Sequence, residues 1–280
     1  MKTSDKIAHA FSSAGDTLKS VAKIALQSKQ CGIRPHDPAE GDTLIVLANG
    51  PSLRDTIVNH GAMLAKRPTL AVNFAANADS FALLKPRYYV LADPHFFVSD
   101  EPNVKKLWEN LGSATWPITL YVPADRLKRA KELAPGMHLE AYNAVGAEGW
   151  RPLCHAAYSR GIAMPRPRNV LIAAIMIAIK AGFRNIYLTG ADHSWLQTLS
   201  VADDNCVVSI QPHFYADDKR ELSRSAAEYR GYRLHDVLNN FMIAFRSYHQ
   251  IAEFAASRGV NIYNATPGSY IDAFERRELE

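Results

Sequence analysis

The sequence predicts an α/β protein: a Rossmann-like, mostly parallel sheet flanked by helices, with a lid insertion near residues 190–220 and an N-terminal helix. Two observations carry this. Short apolar runs rich in Val, Ile, Leu and Tyr recur along the chain, and the first is continuous rather than alternating, as expected of a strand covered on both faces. Segments with helical character separate them, which is the pattern of βαβ units with right-handed crossovers. A chain of 280 residues, 48% hydrophobic and 21% charged, is long and apolar enough to build one large core of this kind.

Residues 4–28 read as an amphipathic helix. Ile7, Phe11, Leu18, Val21, Ala22 and Ala25 approximate one stripe; Lys6, Lys19, Lys23 and Lys29 lie elsewhere, and Ile24 falls off the stripe. Such a helix suits packing on the domain, homo-oligomerisation, or peripheral contact with a membrane surface, since it is basic and apolar together. Residues 31–42 read as a linker. The chain therefore divides into 1–35, helix and linker, and 36–280, a single Rossmann-like domain. Strands are expected at 43–48, 69–73, 87–93, 118–122, 137–142, 185–189 and 260–263. Helices are expected at 53–64, at 169–181 with Gly182 stopping it, and at 222–257 with a break near Gly231. Residues 190–218 carry little regular signal and many Asp, Asn, His and Trp, so they read as the lid.

Several classes are excluded or disfavoured. The formal charge of +4 is too small to point to nucleic acid. Three cysteines, Cys31, Cys154 and Cys206, are odd in number and lack metal-ligand spacing, which argues against a disulfide framework and for a reducing compartment. No signal peptide is visible. The most apolar stretch, 170–181, is about 12 residues, against the roughly 20 that span a bilayer. The expected setting is the cytoplasm, with the inner face of the cytoplasmic membrane suited to the basic helix.

Open parallel sheets bind ligands at the carboxyl ends of their strands. That rule selects Asn49, Gly50, Pro51 and Ser52 after the first strand, Asn73 after the second and Asp93 after the third. It also selects Gly190, Asp192 and His193 after the strand at 185–189, and Thr266 and Ser269 after the last. Glycine admits close approach of a ligand, proline suits a first helical turn, and a helix N-terminus favours phosphate. An ordinary strand-to-helix turn explains the same residues, with Asn49 or Ser52 as cap. Asn73 serves equally as a base or ribose contact or as a helix cap, and Asp93-Pro94 is also a common turn start. The turn is neither a dinucleotide fingerprint nor a P-loop. His193 and His213 lie in loops where a general base belongs. Histidine and cysteine show no zinc spacing, so no metal site is expected.

These motifs resemble a known group. Leu47-Ala48-Asn49-Gly50-Pro51-Ser52-Leu53 resembles the opening turn of the bacterial sialyltransferases of glycosyltransferase family 42. Asn73, the unit from Asn169 to Asp192, and the terminal loop from Tyr263 to Ser269 resemble their later elements. The same set is similar to the 6-hydroxymethylpterin pyrophosphokinase-like (MptE-like) group, to which Asp192-His193-Ser194-Trp195 is closer. The first resemblance implies transfer from a CMP-linked acidic sugar, sialic-acid-like or Kdo-like, with inversion and no obligatory cofactor or metal, in bacterial surface-glycan biosynthesis. Asn49, Ser52, Asn73 and Asn169 would contact the nucleotide. The best match to the family's lid base is His213, with His193 the competitor, and Tyr215 would help neutralise the leaving phosphate. Partners would be a nucleotide-sugar donor and a glycan or small-molecule acceptor. The second resemblance implies ATP and Mg²⁺, with Asp93 and Asp192 as metal candidates. A non-catalytic scaffold that binds a nucleotide sugar is a third reading.

Overall fold

The computed structural model of the protein describes residues 3–208 and 231–279, with side chains described from residue 13 onward. Its centre is an eight-stranded sheet. In chain order the strands are β1 (Thr43–Leu47), β2 (Thr69–Val72), β3 (Tyr88–Val90), β4 (Thr119–Pro123), β5 (His138–Tyr142), β6 (Asn185–Thr189), β9 (Asn261–Asn264) and β10 (Glu275–Arg276). They lie in the order β10-β9-β6-β1-β2-β3-β4-β5, and every pairing is parallel. A parallel sheet needs both faces covered, and the alternation of side chains along each strand divides the apolar residues between two cores. Leu44, Val46, Leu70, Val72, Tyr88, Ile186 and Leu188 face one core; Ala71, Tyr89, Leu91, Leu120 and Val122 face another.

The first core is filled by α8 (Val170–Ala181), in which ten residues from Leu171 to Ala181 are buried. Its apolar surface runs all round because it is sandwiched between the sheet and the long helix α9 (Leu234–Ser257). Gly182, at φ +98°, ends α8 as the sequence predicts. Below β1 the opposite face carries α2 (Leu53–Leu64), and beside it α5 (Pro102–Gly112) brings Leu107, Trp108 and Leu111 into the second core. Shorter helices α3 (Phe81–Leu84), α4 (His95–Val98), α6 (Leu127–Leu133) and α7 (Arg151–Arg160) complete the layers. The third strand is shorter than expected. Leu91 still donates its N–H to Tyr121 O, but the chain then leaves the sheet and Asp93 opens a turn.

The N-terminal helix is α1 (Thr3–Gln27). The expected lid begins with a single helical turn at Ser194–Gln197 and a small antiparallel hairpin, β7 (Ser200–Val201) with β8 (Val207–Val208). Val207 packs with Val237 and Phe241 of α9, and Trp195, Leu199 and Phe245 pack against them. The predicted helix start at 222 lies outside the described residues; α9 begins at Leu234, after Gly231 at φ +87°. No described helix is long and apolar enough to cross a membrane.

Candidate functional site

Strands β1 to β5 step one way across the sheet from β1, and β6, β9 and β10 step the other way. The order therefore reverses between β1 and β6, and the crevice of an open sheet forms at such a reversal, at the carboxyl edge. Two loops flank it: Asn49–Ser52 after β1 and Gly190–His193 after β6. They are fitted to each other closely. Gly50 N donates to Gly190 O at 2.8 Å, and a Cβ on Gly50 would stand 2.0 Å from Asp192 Oδ2 and 2.5 Å from Gly190 O. Gly190, at φ +64°, could carry no Cβ either, since it would meet Ala48 O at 2.7 Å.

This changes the reading of the opening turn. The space beside Gly50 holds the Asp192 carboxylate. Asp192 accepts from Ser52 Oγ at 2.8 Å and from Ser52 N at 3.3 Å, so an internal anion sits on the N-terminal turn of α2 where phosphate was expected. Leu53 N and Arg54 N donate to Gly50 O and Pro51 O. The backbone donors of this turn are thus engaged within the protein, and the expectation that Gly50 to Ser52 supply them to a ligand is corrected. Pro51 stands exposed at the turn, and the buried Asn49 donates from Nδ2 to Val72 O, tying the end of β1 to that of β2. Burial raises the pKa of Asp192, and the two bonds from Ser52 oppose that rise.

A second network stands at the start of α8. Asn169 caps the helix, its Oδ1 accepting from Leu171 N and Ile172 N. The same Oδ1 accepts from the Tyr248 hydroxyl at 2.9 Å, and Tyr248 O lies 2.6 Å from His193 Nε2. Tyr248 has one proton, and Asn169 Oδ1 can only accept. The bonds are all satisfied if Tyr248 donates to Asn169 and His193 donates from Nε2, which leaves Nδ1 as the unprotonated nitrogen. His193 is 8% exposed and stacks on Trp195, with ring centroids 4.1 Å apart. Burial drives its pKa down to about 3. It also adopts φ +52°, an unfavourable conformation held by this packing. Tyr248, fully buried, is pushed well above the usual phenol range and remains protonated.

The loop after β9 braces the Asp192 loop. Thr266 Oγ1 accepts from Ala191 N and donates to Leu188 O. Ser269 Oγ donates to Ala191 O, and accepts from Asn264 Nδ2 and Ile271 N. Tyr270 N donates to Asp192 O. Both hydroxyls are buried and fully engaged, so Thr266 and Ser269, expected as nucleotide contacts, hold the loop that carries Asp192 and His193. Arg276 clamps the same loop from β10 by donating to Thr266 O and Ser269 O.

Asn73 closes β2 at φ +49°, with its carbonyl accepting from Tyr89 OH. Two side-chain atoms at this edge are buried without a hydrogen-bond partner: Asn73 Oδ1 and Asn169 Nδ2. Buried orphans of this kind are rare in folded proteins and call for a reason. Asp93 is exposed, and its Oδ1 accepts from His95 N, a turn cap. It leaves β3, three strand positions from the β6 that carries Asp192, which sets the two roughly 14 Å apart at about 4.8 Å per strand. They are not placed to share one Mg²⁺. His213 and Tyr215 lie outside the described residues. Sequence reasoning missed Tyr248 and Arg276: each sits inside a regular element, where nothing in the spacing separates a network residue from a packing one. A cavity of about 300 Å³ opens elsewhere, beside Arg34, Lys131 and His138 at the start of β5, and touches none of these groups.

No protein-family model matches the chain, and no curated protein sequence matches it either. Among solved structures it is similar to the MAf glycosyltransferase from Magnetospirillum magneticum AMB-1, with a TM-score of 0.51 at 12% identity. The likeness covers 95% of this chain and 38% of that one, so the chain spans well under half the length of that protein. At such identity the likeness is one of fold, which in this chain is a Rossmann-like eight-stranded parallel sheet with flanking helices.

Proposed function

We propose that this chain is a glycosyltransferase that takes a nucleotide-activated acidic sugar, CMP-sialic-acid-like or CMP-Kdo-like, and transfers it with inversion to an acceptor hydroxyl in surface-glycan biosynthesis. The observation that carries the reading is the pair of unpartnered amide atoms at the carboxyl edge. Asn73 Oδ1 offers an acceptor and Asn169 Nδ2 a donor, the complement that a pyrimidine base or ribose presents. A protein of similar fold that is named a glycosyltransferase supports reading that ligand as a nucleotide sugar.

The reaction is a direct displacement. The acceptor oxygen attacks the anomeric carbon, the bond from that carbon to the phosphate oxygen breaks, and the nucleoside monophosphate leaves with the electron pair. The acceptor proton goes to a histidine. His193 is ill suited, since a base with a conjugate acid near 3 has little affinity for an alcohol proton. We assign the role to His213, with Tyr215 donating to the leaving phosphate. Because Asp192 occupies the α2 turn, the phosphate belongs at the α8 end of the crevice. Arg168, exposed one residue before the cap, supplies positive charge there. Asp192, with acceptor sites beyond those used by Ser52, takes a ribose hydroxyl.

Thermal denaturation with CMP, CDP, UDP, GDP, ADP and ATP, each with and without Mg²⁺, tests the reading. CMP at about 100 times its dissociation constant should stabilise the protein by roughly 2.7 kcal/mol without metal. Stabilisation only by ATP with Mg²⁺ would replace it with pyrophosphoryl transfer. Binding of the nucleotide sugar with no turnover, unchanged in His213→Ala, would leave a scaffold.

A further inference from the structure

We propose that the outer face of α1 is a docking surface for an anionic membrane, independent of the reaction in the crevice. The helix presents three faces. Thr17, Ser20, Ile24 and Ser28, at successive spacings of three and four, turn inward. Thr17 Oγ1 accepts from Trp150 N, Ser20 Oγ donates to Glu148 O, Ser28 Oγ donates to Ile162 O, and Ile24 packs on the core. Gly149 lets this contact close: a Cβ there would stand 2.3 Å from Thr17 Oγ1.

The apolar stripe seen in the sequence therefore does not dock. Leu18 is 72% exposed, Val21 45% and Leu26 80%; Ala14, Ala22 and Ala25 are exposed beside them. Next to the stripe run the exposed Lys19 and Lys23. Residues 1–30 carry five lysines against two aspartates. Trp150, whose backbone is pinned to Thr17, one residue from Leu18, is 60% exposed. An exposed indole together with exposed aliphatic side chains and lysines is the composition of an interfacial anchor.

A second copy of the chain fits less well. The stripe from residue 14 to residue 26 is about 18 Å long and about 10 Å wide, roughly 180 Å². The exposed part of Trp150 adds about 150 Å². Together they fall short of the roughly 800 Å² per partner of a stable dimer. A lipid surface demands no such complementary area, and anionic headgroups match the lysines. The loop that holds α1 leaves the carboxyl end of β5, the edge on which the crevice opens.

The test is sedimentation of the full chain with vesicles of phosphatidylcholine alone, and of phosphatidylcholine with phosphatidylglycerol in equal parts. The protein should sediment with the anionic vesicles, and less so in high salt. Leu18→Glu with Val21→Glu should weaken binding by about tenfold or more, and Lys19→Glu with Lys23→Glu should abolish the preference for phosphatidylglycerol. All four side chains are exposed, so unchanged thermal denaturation of these variants verifies the fold. Failure to sediment with either vesicle would overturn the proposal, as would binding indifferent to both pairs. A wild-type dimer by light scattering that Leu18→Glu with Val21→Glu makes monomeric would also overturn it and assign the face to a second copy.

Discussion

Acidification from about pH 7 to about pH 5 isolates His193. Its imidazole is 8% exposed, enclosed by Trp195, Phe245 and Tyr248, with Nε2 bonded to the Tyr248 hydroxyl. Burial lowers its pKa from 6.5 to about 3. Above the unfolded value neither state binds the proton, and the stability is fully present. Below it the unfolded chain takes up a proton that the folded protein refuses, so stability falls as pH falls toward the folded value. At about pH 5 the unfolded group is some 1.5 units below its own pKa, which costs about 2 kcal/mol at 1.36 kcal/mol per unit. A folded value anywhere below about 4 gives the same loss, because the folded imidazole is then neutral across the whole window. Two other groups titrate nearby. His155, lowered by burial and by Arg151, adds loss of the same sign. Asp192, raised by burial, works the other way as it gains its proton. His193→Gln removes only the group in question, so urea unfolding of both proteins at the two pH values gives its share by subtraction. The variant should lose about 2 kcal/mol less than the wild type. Equal losses would refute the burial argument and reopen His193 as a base of ordinary strength.

Three further outcomes follow from the site. Gly50→Ala forces a methyl group against Asp192 Oδ2 and Gly190 O, and should cost about 2–3 kcal/mol in urea unfolding; adding Asp192→Ala should restore only part, since the Gly190 carbonyl remains. Asn169→Asp keeps the cap on α8 but exchanges the unpartnered Nδ2 for oxygen, so stability should change by less than about 1 kcal/mol while CMP affinity, by calorimetry, drops about tenfold. Unchanged affinity would remove Asn169 from the nucleotide site. Tyr248→Phe strands His193 Nε2–H in the core and should destabilise the protein by about 1–3 kcal/mol by thermal unfolding, without altering CMP affinity beyond what movement of Asn169 causes.

Much of the sheet was legible because a covered parallel strand imposes a continuous apolar run on local sequence. Thr43–Leu47 and Asn185–Thr189 follow that rule, and so does α8, whose apolar circumference follows from being sandwiched. The reversal between β1 and β6 was not legible, because strand order depends on contacts between segments 140 residues apart. Yet the strand-end rule, applied without it, selected residues that the fold brings together at one edge. Asn49, Gly50, Ser52, Gly190, Asp192 and His193 all gather there.

What the sequence misassigned was the partner of each polar group. A glycine beside a helix start invites a phosphate, but Gly50 admits Asp192, and the two possibilities leave the same residue types in the same order. Thr266 and Ser269 look like ligand contacts and act as braces, because the carbonyls that they bind, Leu188 and Ala191, come from another strand and the loop that follows it. The stripe on α1 shows the same limit from the other side. Periodicity located the apolar face, but the helix docks through small hydroxyl side chains and Ile24, the residue that fell off the stripe. Hydroxyl-to-carbonyl docking leaves no hydrophobic period to detect, whereas an apolar face that meets no protein retains the whole of its signal. On this protein the amphipathic pattern of α1 therefore marks a face that the fold leaves exposed.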